Sequence, residues 1–173
     1  MFITKQQVLT LGWYHPTSSS KTNRFSKMVL FLKAKQKFAI NYFTKALLNN
    51  FANNNTYQII TVPSHDPHFQ NDITMLAKNL CKQSDKFIDI TAAVKRIQFV
   101  DSFCKTNNRN SIILINSIKI DKSLVKEANI LLLDDISTSG TSLLTIEKML
   151  IAAGAASVTL MALAQTIPSV KFS

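Results

Sequence analysis

The most constraining feature of this chain is the segment at residues 130–142, which reads Ile-Leu-Leu-Leu-Asp-Asp-Ile-Ser-Thr-Ser-Gly-Thr-Ser. Four apolar residues end at two adjacent carboxylates, a loop of small hydroxylated residues follows around Gly140, and an apolar-periodic stretch begins at Leu143. This order predicts a buried parallel strand with an acidic pair at its carboxyl end and a tight turn into a helix. Because backbone N–H groups gather at such a turn, the segment favours binding of a phosphate group.

Strand-like and helix-like patterns alternate along the rest of the chain. Strands are predicted at residues 57–62, 87–90, 111–115, 130–133 and 157–164, and helices at residues 27–51, 73–80 and 142–153. A strand or hairpin is predicted at residues 2–11, and a mobile basic loop at residues 95–110. The alternation indicates an α/β fold, with a largely parallel twisted sheet flanked by helices. We divide the chain into an N-terminal extension, residues 1–26, and a main domain, residues 27–173.

The composition is that of a globular protein. The chain has 173 residues, of which 46% are hydrophobic and 17% charged, enough for a sizeable core without disulfides or metals. No apolar run approaches the roughly 20 residues that cross a bilayer, and the N-terminus lacks the apolar core of a signal peptide. Cys81 and Cys104 have no CxxC partner and no histidine cluster nearby, which predicts two reduced thiols and no zinc site. We therefore expect a cytoplasmic protein without membrane contact.

The net charge of +10 and the pI near 9.8 allow three interpretations. The first is a lysine-rich composition without a specific role, the second is attraction of a phosphorylated substrate, and the third is contact with nucleic acid. The positive charge is concentrated in one early segment, at Lys21, Arg24, Lys27, Lys33, Lys35, Lys37 and Lys45. Charge alone does not choose among the three.

Asp134 and Asp135 stand where ligands bind in open parallel sheets, at the carboxyl end of a strand. Ionised carboxylates only accept hydrogen bonds, so the pair suits the hydroxyl groups of a sugar. Residues 138–142 offer backbone N–H groups and hydroxyls to a phosphate at a helix start. The alternative is that the carboxylates cap the helix and the hydroxyls satisfy turn geometry. Capping, however, requires one such residue rather than two carboxylates and five small residues.

Residues 130–142 resemble the phosphoribosyl pyrophosphate signature of type I phosphoribosyltransferases, which also has four apolar residues, two acidic ones and a small-residue phosphate loop. The resemblance implies that Asp134 and Asp135 hold the ribose hydroxyls. It implies a 5′-phosphate site at Ser137, Thr138, Ser139, Gly140, Thr141 and Ser142. It also implies Mg²⁺ carried mainly by the ligand, with Asp134 and Asp135 as the nearest protein groups.

Several shorter matches are similar to the ComF-type competence branch of that family and extend the resemblance over residues 28–167. They are Leu32-Lys33, Phe38-Ala39, the run Val-Pro-Ser-His-Asp-Pro at residues 62–67, Leu76-Ala77, Ala153-Gly154-Ala155 and Leu163-Ala164-Gln165-Thr166. The chain departs from the branch because it has no N-terminal zinc ribbon. His68-Phe69-Gln70-Asn71 also stands where the branch has an Arg-Gly-Phe-Asn-Gln-like sequence. Thr138 occupies the position of the catalytic Asp of purine-salvage enzymes, which disfavours a hypoxanthine or guanine enzyme.

The pyrophosphate end of the ligand is less defined by sequence. Ser64 and His65 would correspond to the pyrophosphate loop of such a fold, and Lys33, Lys35, Arg96 and Arg109 can neutralise the charge of a leaving pyrophosphate. The resemblance implies transfer of a phosphoribosyl group to a nitrogen nucleophile, with no catalytic residue or acceptor identified. The alternative is a non-catalytic phosphoribosyl-pyrophosphate-binding or DNA-associated protein of competence and DNA uptake. Nucleic acid and a second copy of the chain, as a homodimer, stay open as partners.

Overall fold

The computed structural model describes residues 3–5, 7–16, 23–52, 55–68, 71–99 and 111–167. Six strands form one sheet in the order β1-β2-β8-β7-β3-β4, and a separate antiparallel pair joins β5 to β6. The strands are β1 (Ile3–Lys5), β2 (Val8–Tyr14), β3 (Tyr57–Thr61), β4 (Phe87–Asp89), β5 (Val94–Arg96), β6 (Ile118–Ile120), β7 (Asn129–Ser137) and β8 (Ser157–Thr166). In the large sheet every pairing is parallel except β1 with β2. The predicted α/β fold with a largely parallel sheet is confirmed.

Strand β7 lies at the centre of the sheet and reaches further than the pattern predicts. Ile130 and the three leucines after it are fully buried because helices cover both faces of the sheet. Strand β3 stays beside β7 only as far as the Thr61–Leu133 pair, while β8 follows β7 to the Ser137–Gln165 pair. The last four residues of β7, from Asp134 onward, therefore extend past the last pair with β3 and keep only β8 as a paired neighbour.

Helices α1 (Arg24–Lys33), α2 (Lys37–Asn50) and α3 (Asp72–Gln83) pack on one face of the sheet around Phe43, Leu47 and Leu76. The predicted single helix at residues 27–51 is wrong, because two helices occupy this part of the chain. The chain turns at Lys35, whose φ is +56°, and the backbone N–H of Gln36 closes the end of α1 on the carbonyl oxygen of Phe31 at 3.0 Å. The apolar spacing runs unbroken through this turn, so periodicity does not detect it.

The other face is covered by α4 (Ser111–Asn116), α5 (Lys122–Val125), α6 (Thr141–Ala152) and the β5–β6 pair. The strand predicted at residues 111–115 is wrong, since this segment is helical. Only Leu114 of its apolar run is buried, whereas Ile112, Ile113 and Ile115 are exposed. A short apolar run fits a helix as well as a strand, and here the helical option holds.

The N-terminal hairpin is confirmed as β1 and β2, although β2 continues to Tyr14 and pairs in parallel with β8. The division at residue 26 stays a prediction. The loop predicted at residues 95–110 begins instead as strand β5, and its later part, with Cys104 and Arg109, lies outside the described residues. Cys81 is a half-buried free thiol, and burial raises its pKa to about 11. None of the described helices combines the length and the apolar character needed to cross a membrane.

Candidate functional site

The acidic pair is held rigidly by its own strand. The backbone N–H of Asp135 donates to Oδ1 of Asp134 at 2.9 Å, and the N–H of Ile136 donates to Oδ1 of Asp135 at 2.5 Å. Both aspartates are half-buried, and neither caps a helix, because α6 begins only at Thr141 and its N-cap is Gly140. The explanation that these carboxylates serve as helix caps is therefore wrong.

Lys33, the last residue of α1, reaches the acidic pair at the end of β7. Its Nζ lies 2.5 Å from Oδ2 of Asp135, with less than half of the lysine side chain exposed. Burial lowers the pKa of Lys33, but attraction to Asp135 and the hydrogen bond with it raise the pKa more, so the net shift is upward. The pKa of Asp134 lies well above its ordinary range because of burial and then the charge of Asp135. A single lysine is thus attracted electrostatically to two adjacent carboxylates.

A third carboxylate, Asp72, belongs to the same charge cluster and was not identified from the sequence. It is the first residue of α3, only 9% exposed, and its Oδ2 has no hydrogen-bond partner in the described part of the chain. Burial and then Asp135 raise its pKa, while Lys33 and Lys35 oppose the shift. An acidic residue in the first turn of a helix is ordinarily explained by the helix dipole, so its sequence position gave no signal.

The loop after β7 has the geometry of an anion site. Gly140 takes a left-handed conformation with φ +75° at the start of α6, and no side chain caps the helix. The N–H groups of the first turn therefore face the loop without a side-chain acceptor. Among the residues that the structure describes, the Oγ of Ser137 is buried without a hydrogen-bond partner, about 3.9 Å from where a Cβ on Gly140 would lie. Uncapped N–H groups and an unpaired hydroxyl at one helix start favour a phosphate.

Side chains from β8 fix the outer part of this loop. The hydroxyls of Thr138 and Thr166 lie 3.1 Å apart, and Nε2 of Gln165 donates to the carbonyl oxygen of Thr138 at 2.8 Å. Within the loop, the hydroxyls of Ser139 and Thr141 lie 2.9 Å apart. The structure thus brings together all the residues predicted for the ribose and the 5′-phosphate, from Asp134 to Ser142, on one continuous segment.

The residues predicted to bind pyrophosphate lie in different surroundings from one another. Arg96 donates through Nε to the carbonyl oxygen of Ser64 at 2.9 Å, through Nη2 to that of Pro63 at 3.4 Å, and through Nη1 to Oγ of Ser117. Its guanidinium therefore holds the segment after β3 in place, and burial lowers its pKa. His65 is exposed, with its ring edge-on to Phe99 at a centroid distance of 5.8 Å. Arg109 lies outside the described residues.

Comparisons with known proteins give a fold likeness only. No protein-family model matches the chain, and no curated protein is significantly similar in sequence. The chain is similar to a structure of an HPRT with glutamine in place of an invariant aspartic acid, with a TM-score of 0.45 and 10% identity over 83% of this chain and 79% of that one.

Two structures of hypoxanthine phosphoribosyltransferases are also similar to the chain. One is a hypoxanthine phosphoribosyltransferase from Staphylococcus aureus, with a TM-score of 0.42 and 13% identity over 84% of this chain and 76% of that one. The other is a hypoxanthine phosphoribosyltransferase from Trypanosoma cruzi in a ternary substrates complex, with a TM-score of 0.43 and 10% identity over 83% and 79%. At these scores and identities the likeness is too distant to carry a function, and the resemblance to the ComF-type branch stays a prediction.

Proposed function

We propose that this protein binds phosphoribosyl pyrophosphate with Mg²⁺ and transfers the phosphoribosyl group to a nitrogen nucleophile, releasing pyrophosphate. The observation that carries the proposal is the segment from Asp134 to Ser142. It presents two fixed carboxylates and an uncapped helix start around Gly140 on the same edge of the sheet. Carboxylates for hydroxyl groups and amides for a phosphate, a few residues apart, match a phosphorylated sugar.

The ribose hydroxyls are the groups that the acidic pair would hold. Each carboxylate already accepts one backbone N–H and keeps further acceptor capacity. Lys33 occupies Oδ2 of Asp135, so ribose binding requires that this ion pair shares the carboxylate or opens. We therefore assign Lys33 the role of orienting Asp135 and of contributing positive charge beside the reacting carbon.

The 5′-phosphate would sit at the start of α6. Its oxygens would accept hydrogen bonds from the first-turn N–H groups at Thr141 and Ser142 and from the hydroxyls of Ser137, Thr138 and Ser139. The unpartnered Oγ of Ser137 supports this assignment, because a buried hydroxyl without an acceptor is costly unless a ligand completes it.

For the pyrophosphate end we propose Ser64 and His65, which follow β3 beside the acidic pair, with Arg109 as a further cation. Arg96 would act on pyrophosphate indirectly, because its guanidinium donates to the backbone carbonyl oxygens of Pro63 and Ser64. It would shape the pyrophosphate loop and lend it positive charge.

The residues present fit a magnesium ion that arrives with the ligand. No group of three or more His, Cys, Asp or Glu suited to a metal occurs among the residues that the structure describes. Mg²⁺ needs only one or two protein carboxylates when phosphate oxygens and water complete its octahedron, and Asp134 and Asp135 can provide them. When bound, the ion would neutralise charge on the pyrophosphate.

In the proposed reaction the nitrogen lone pair forms a bond to C1 of the ribose while the bond from C1 to the pyrophosphate oxygen breaks. The ribose becomes oxocarbenium-like, and the departing pyrophosphate takes the electron pair. Catalysis then consists of holding the two ends of the sugar in place and stabilising the leaving charge. The acceptor nitrogen is not identified by any of the described residues.

The test is a calorimetric titration with phosphoribosyl pyrophosphate and Mg²⁺. We expect binding by the wild type and a loss of about tenfold or more for Asp135→Asn, because a charge-assisted acceptor becomes a neutral amide. Asp85→Asn, which removes an exposed carboxylate in the turn before β4, is the matched control and should bind like the wild type. Equal affinity of both variants, or no binding by the wild type, would contradict the proposal. Pyrophosphate release across a panel of purine, pyrimidine and amine acceptors then separates an enzyme from a binder.

A second candidate function, contact with single-stranded nucleic acid, is favoured by one specific observation. The first 65 residues contain eight Lys and Arg and no Asp or Glu, so they hold eight of the ten net positive charges. Helices α1 and α2 in this part also expose the rings of Phe31, Phe38 and Tyr42, and the first two rings meet edge-on at 5.1 Å. Basic side chains around exposed aromatic rings are typical of surfaces that bind single strands.

A further inference from the structure

A cavity of about 390 Å³ borders the segment after β3, including Ser64 of the proposed pyrophosphate loop. It opens at the carboxyl end of β3 and just beyond the carboxyl end of β4, the neighbour of β3 on the side away from β7. Its walls come from the segment after β3, from the first turns of α3, and from the chain between β4 and the end of β5. No residue from Asp134 to Ser142 lines it.

The charged side chains that line this cavity are mostly cationic. They are Lys78, Lys95 and Arg96 against the single carboxylate of Asp66. Arg96 is already bonded to the backbone of Pro63 and Ser64. Within the described part of the chain neither lysine forms an ion pair, although both border the same space. Two like charges facing one cavity attract an anion that neutralises both.

The other polar groups of the wall are satisfied within the protein. The hydroxyls of Thr61 and Thr74 lie 3.0 Å apart, and Asn71 donates through Nδ2 to the carbonyl oxygen of Val62 at 2.9 Å. The ammonium groups of Lys78 and Lys95 therefore keep their donor capacity for a ligand. Proline, alanine and valine side chains complete the lining, which suits the carbon skeleton of a small molecule.

We propose that this cavity binds the phosphate group of a small phosphorylated metabolite through Lys78 and Lys95. The cavity shares Ser64 and Arg96 with the proposed pyrophosphate loop, but Lys78 and Lys95 have no role in the proposed function, so this proposal does not depend on it. The volume lies near the lower end of the range for small-molecule sites, which limits the occupant to a compact molecule.

The experiment is a titration of the ¹⁵N-labelled full chain with inorganic phosphate, followed by backbone amide chemical shifts. We expect saturable shifts at Thr74, Lys78, Thr91 and Ala92 in the wild type. The double variant Lys78→Gln with Lys95→Gln should bind at these amides roughly tenfold or more weakly, because two charge-assisted donors are lost. Lys82→Gln is the matched control, since Lys82 is exposed on the same helix and does not line the cavity. It should bind phosphate like the wild type.

Shifts confined to the amides from Ser139 to Ser142 would overturn the proposal, because they would assign all phosphate binding to the loop before α6. Equal affinity of the double variant and Lys82→Gln at the cavity amides would also overturn it. Titration of the same samples with phosphoribosyl pyrophosphate tests the proposed function by the response at Asp134 to Ser142. The two proposals can therefore fail independently.

Discussion

At the scale of single residues, the site concentrates negative charge that the folded protein stabilises poorly. Asp135 interacts electrostatically with both Asp134 and Asp72, while the one ion pair of Lys33 among the described residues is with Asp135. Buried carboxylates with raised pKa values are characteristic of binding and catalytic sites, where the ligand supplies what the protein lacks. Here the missing partners would be hydroxyl donors and a cation.

Asp134→Asn should stabilise the ligand-free protein at neutral pH. The amide is nearly isosteric, its Oδ1 can still accept the N–H of Asp135, and it removes a carboxylate that burial and Asp135 disfavour. We expect a gain on the order of 0.5–2 kcal/mol in the free energy of unfolding, measured by urea titration without Mg²⁺. Asp85→Asn should change stability little, because that side chain is exposed.

The pH dependence of this gain has a definite sign. The ordinary pKa of an aspartate, 3.8, applies to the unfolded chain, and the pKa of Asp134 is raised above it in the folded state. The folded protein therefore binds this proton more tightly than the unfolded chain does. Wild-type stability is therefore lost as the pH rises from about 4 through the folded pKa. The difference between Asp134→Asn and wild type should be small at about pH 3.5 and grow towards neutrality. A difference that shrinks with rising pH would contradict the assignment.

At the scale of elements, backbone conformation matters more than hydrophobic spacing. The break between α1 and α2 leaves the apolar stripe in phase and requires Lys35 to adopt a left-handed conformation that favours glycine. The break ends α1 at Lys33, the residue that pairs with Asp135. The start of α6 uses the same kind of conformation, but there a glycine occupies the position.

Gly140→Ala tests the phosphate loop through the backbone alone. A Cβ at this position would meet no atom closer than 3.6 Å, so the cost comes from the φ of +75°. We expect a loss of about 1–2 kcal/mol in unfolding free energy, by urea titration, together with weaker binding of phosphoribosyl pyrophosphate.

Gly154→Ala is the matched control for this change. Gly154 follows the other end of α6 with φ +104°, and the nearest atoms to an added Cβ are 3.8 Å away. It should lose stability to a similar extent and keep the ligand affinity of the wild type. Equal weakening of ligand binding by both variants would show that α6 stability, rather than the loop, controls affinity.

At the scale of the whole molecule, charge is distributed unevenly along the chain. Residues 66–173 are nearly balanced, whereas the part before them has no acidic residue. A uniform lysine-rich composition does not explain this distribution. Contact of the first 65 residues with an anion, either a substrate or a polymer, would account for it.

Reversing three charges on α1 and α2 separates these two anions. The triple variant Lys27→Glu, Lys37→Glu and Lys45→Glu changes exposed residues that have no assigned role in the proposed site. It should lose salt-sensitive binding to single-stranded DNA and reduce the slope of log K against log salt by about 2. Lys82→Glu, Lys119→Glu and Lys122→Glu, a change of equal charge in the balanced part, should keep most of the binding. Equal losses in both variants would indicate attraction by net charge alone, and neither should affect phosphoribosyl pyrophosphate binding.

Local sequence determined much of this protein. The apolar run predicted β7, and the two aspartates after it predicted the acidic pair at the end of that strand. Gly140 predicted the turn into α6. All three features could be predicted because each depends on residues that are adjacent in the chain. The alternation of patterns also determined the parallel sheet. The helix at Ser111–Asn116 was not predicted, because a short apolar run is compatible with both a strand and a helix.

Tertiary structure alone decided what surrounds that segment. Lys33 and Asp72 come from helices distant in sequence and meet Asp135 only after α1 and α3 have packed on the sheet. Arg96 binds the backbone after β3 from a strand more than thirty residues away. Electrostatic and hydrogen-bond partners that are distant in sequence depend on how the helices and strands pack. The spacing of residues along the chain does not predict that packing. The sequence thus determined the segment that would hold the ligand, and the fold decided which charges face it.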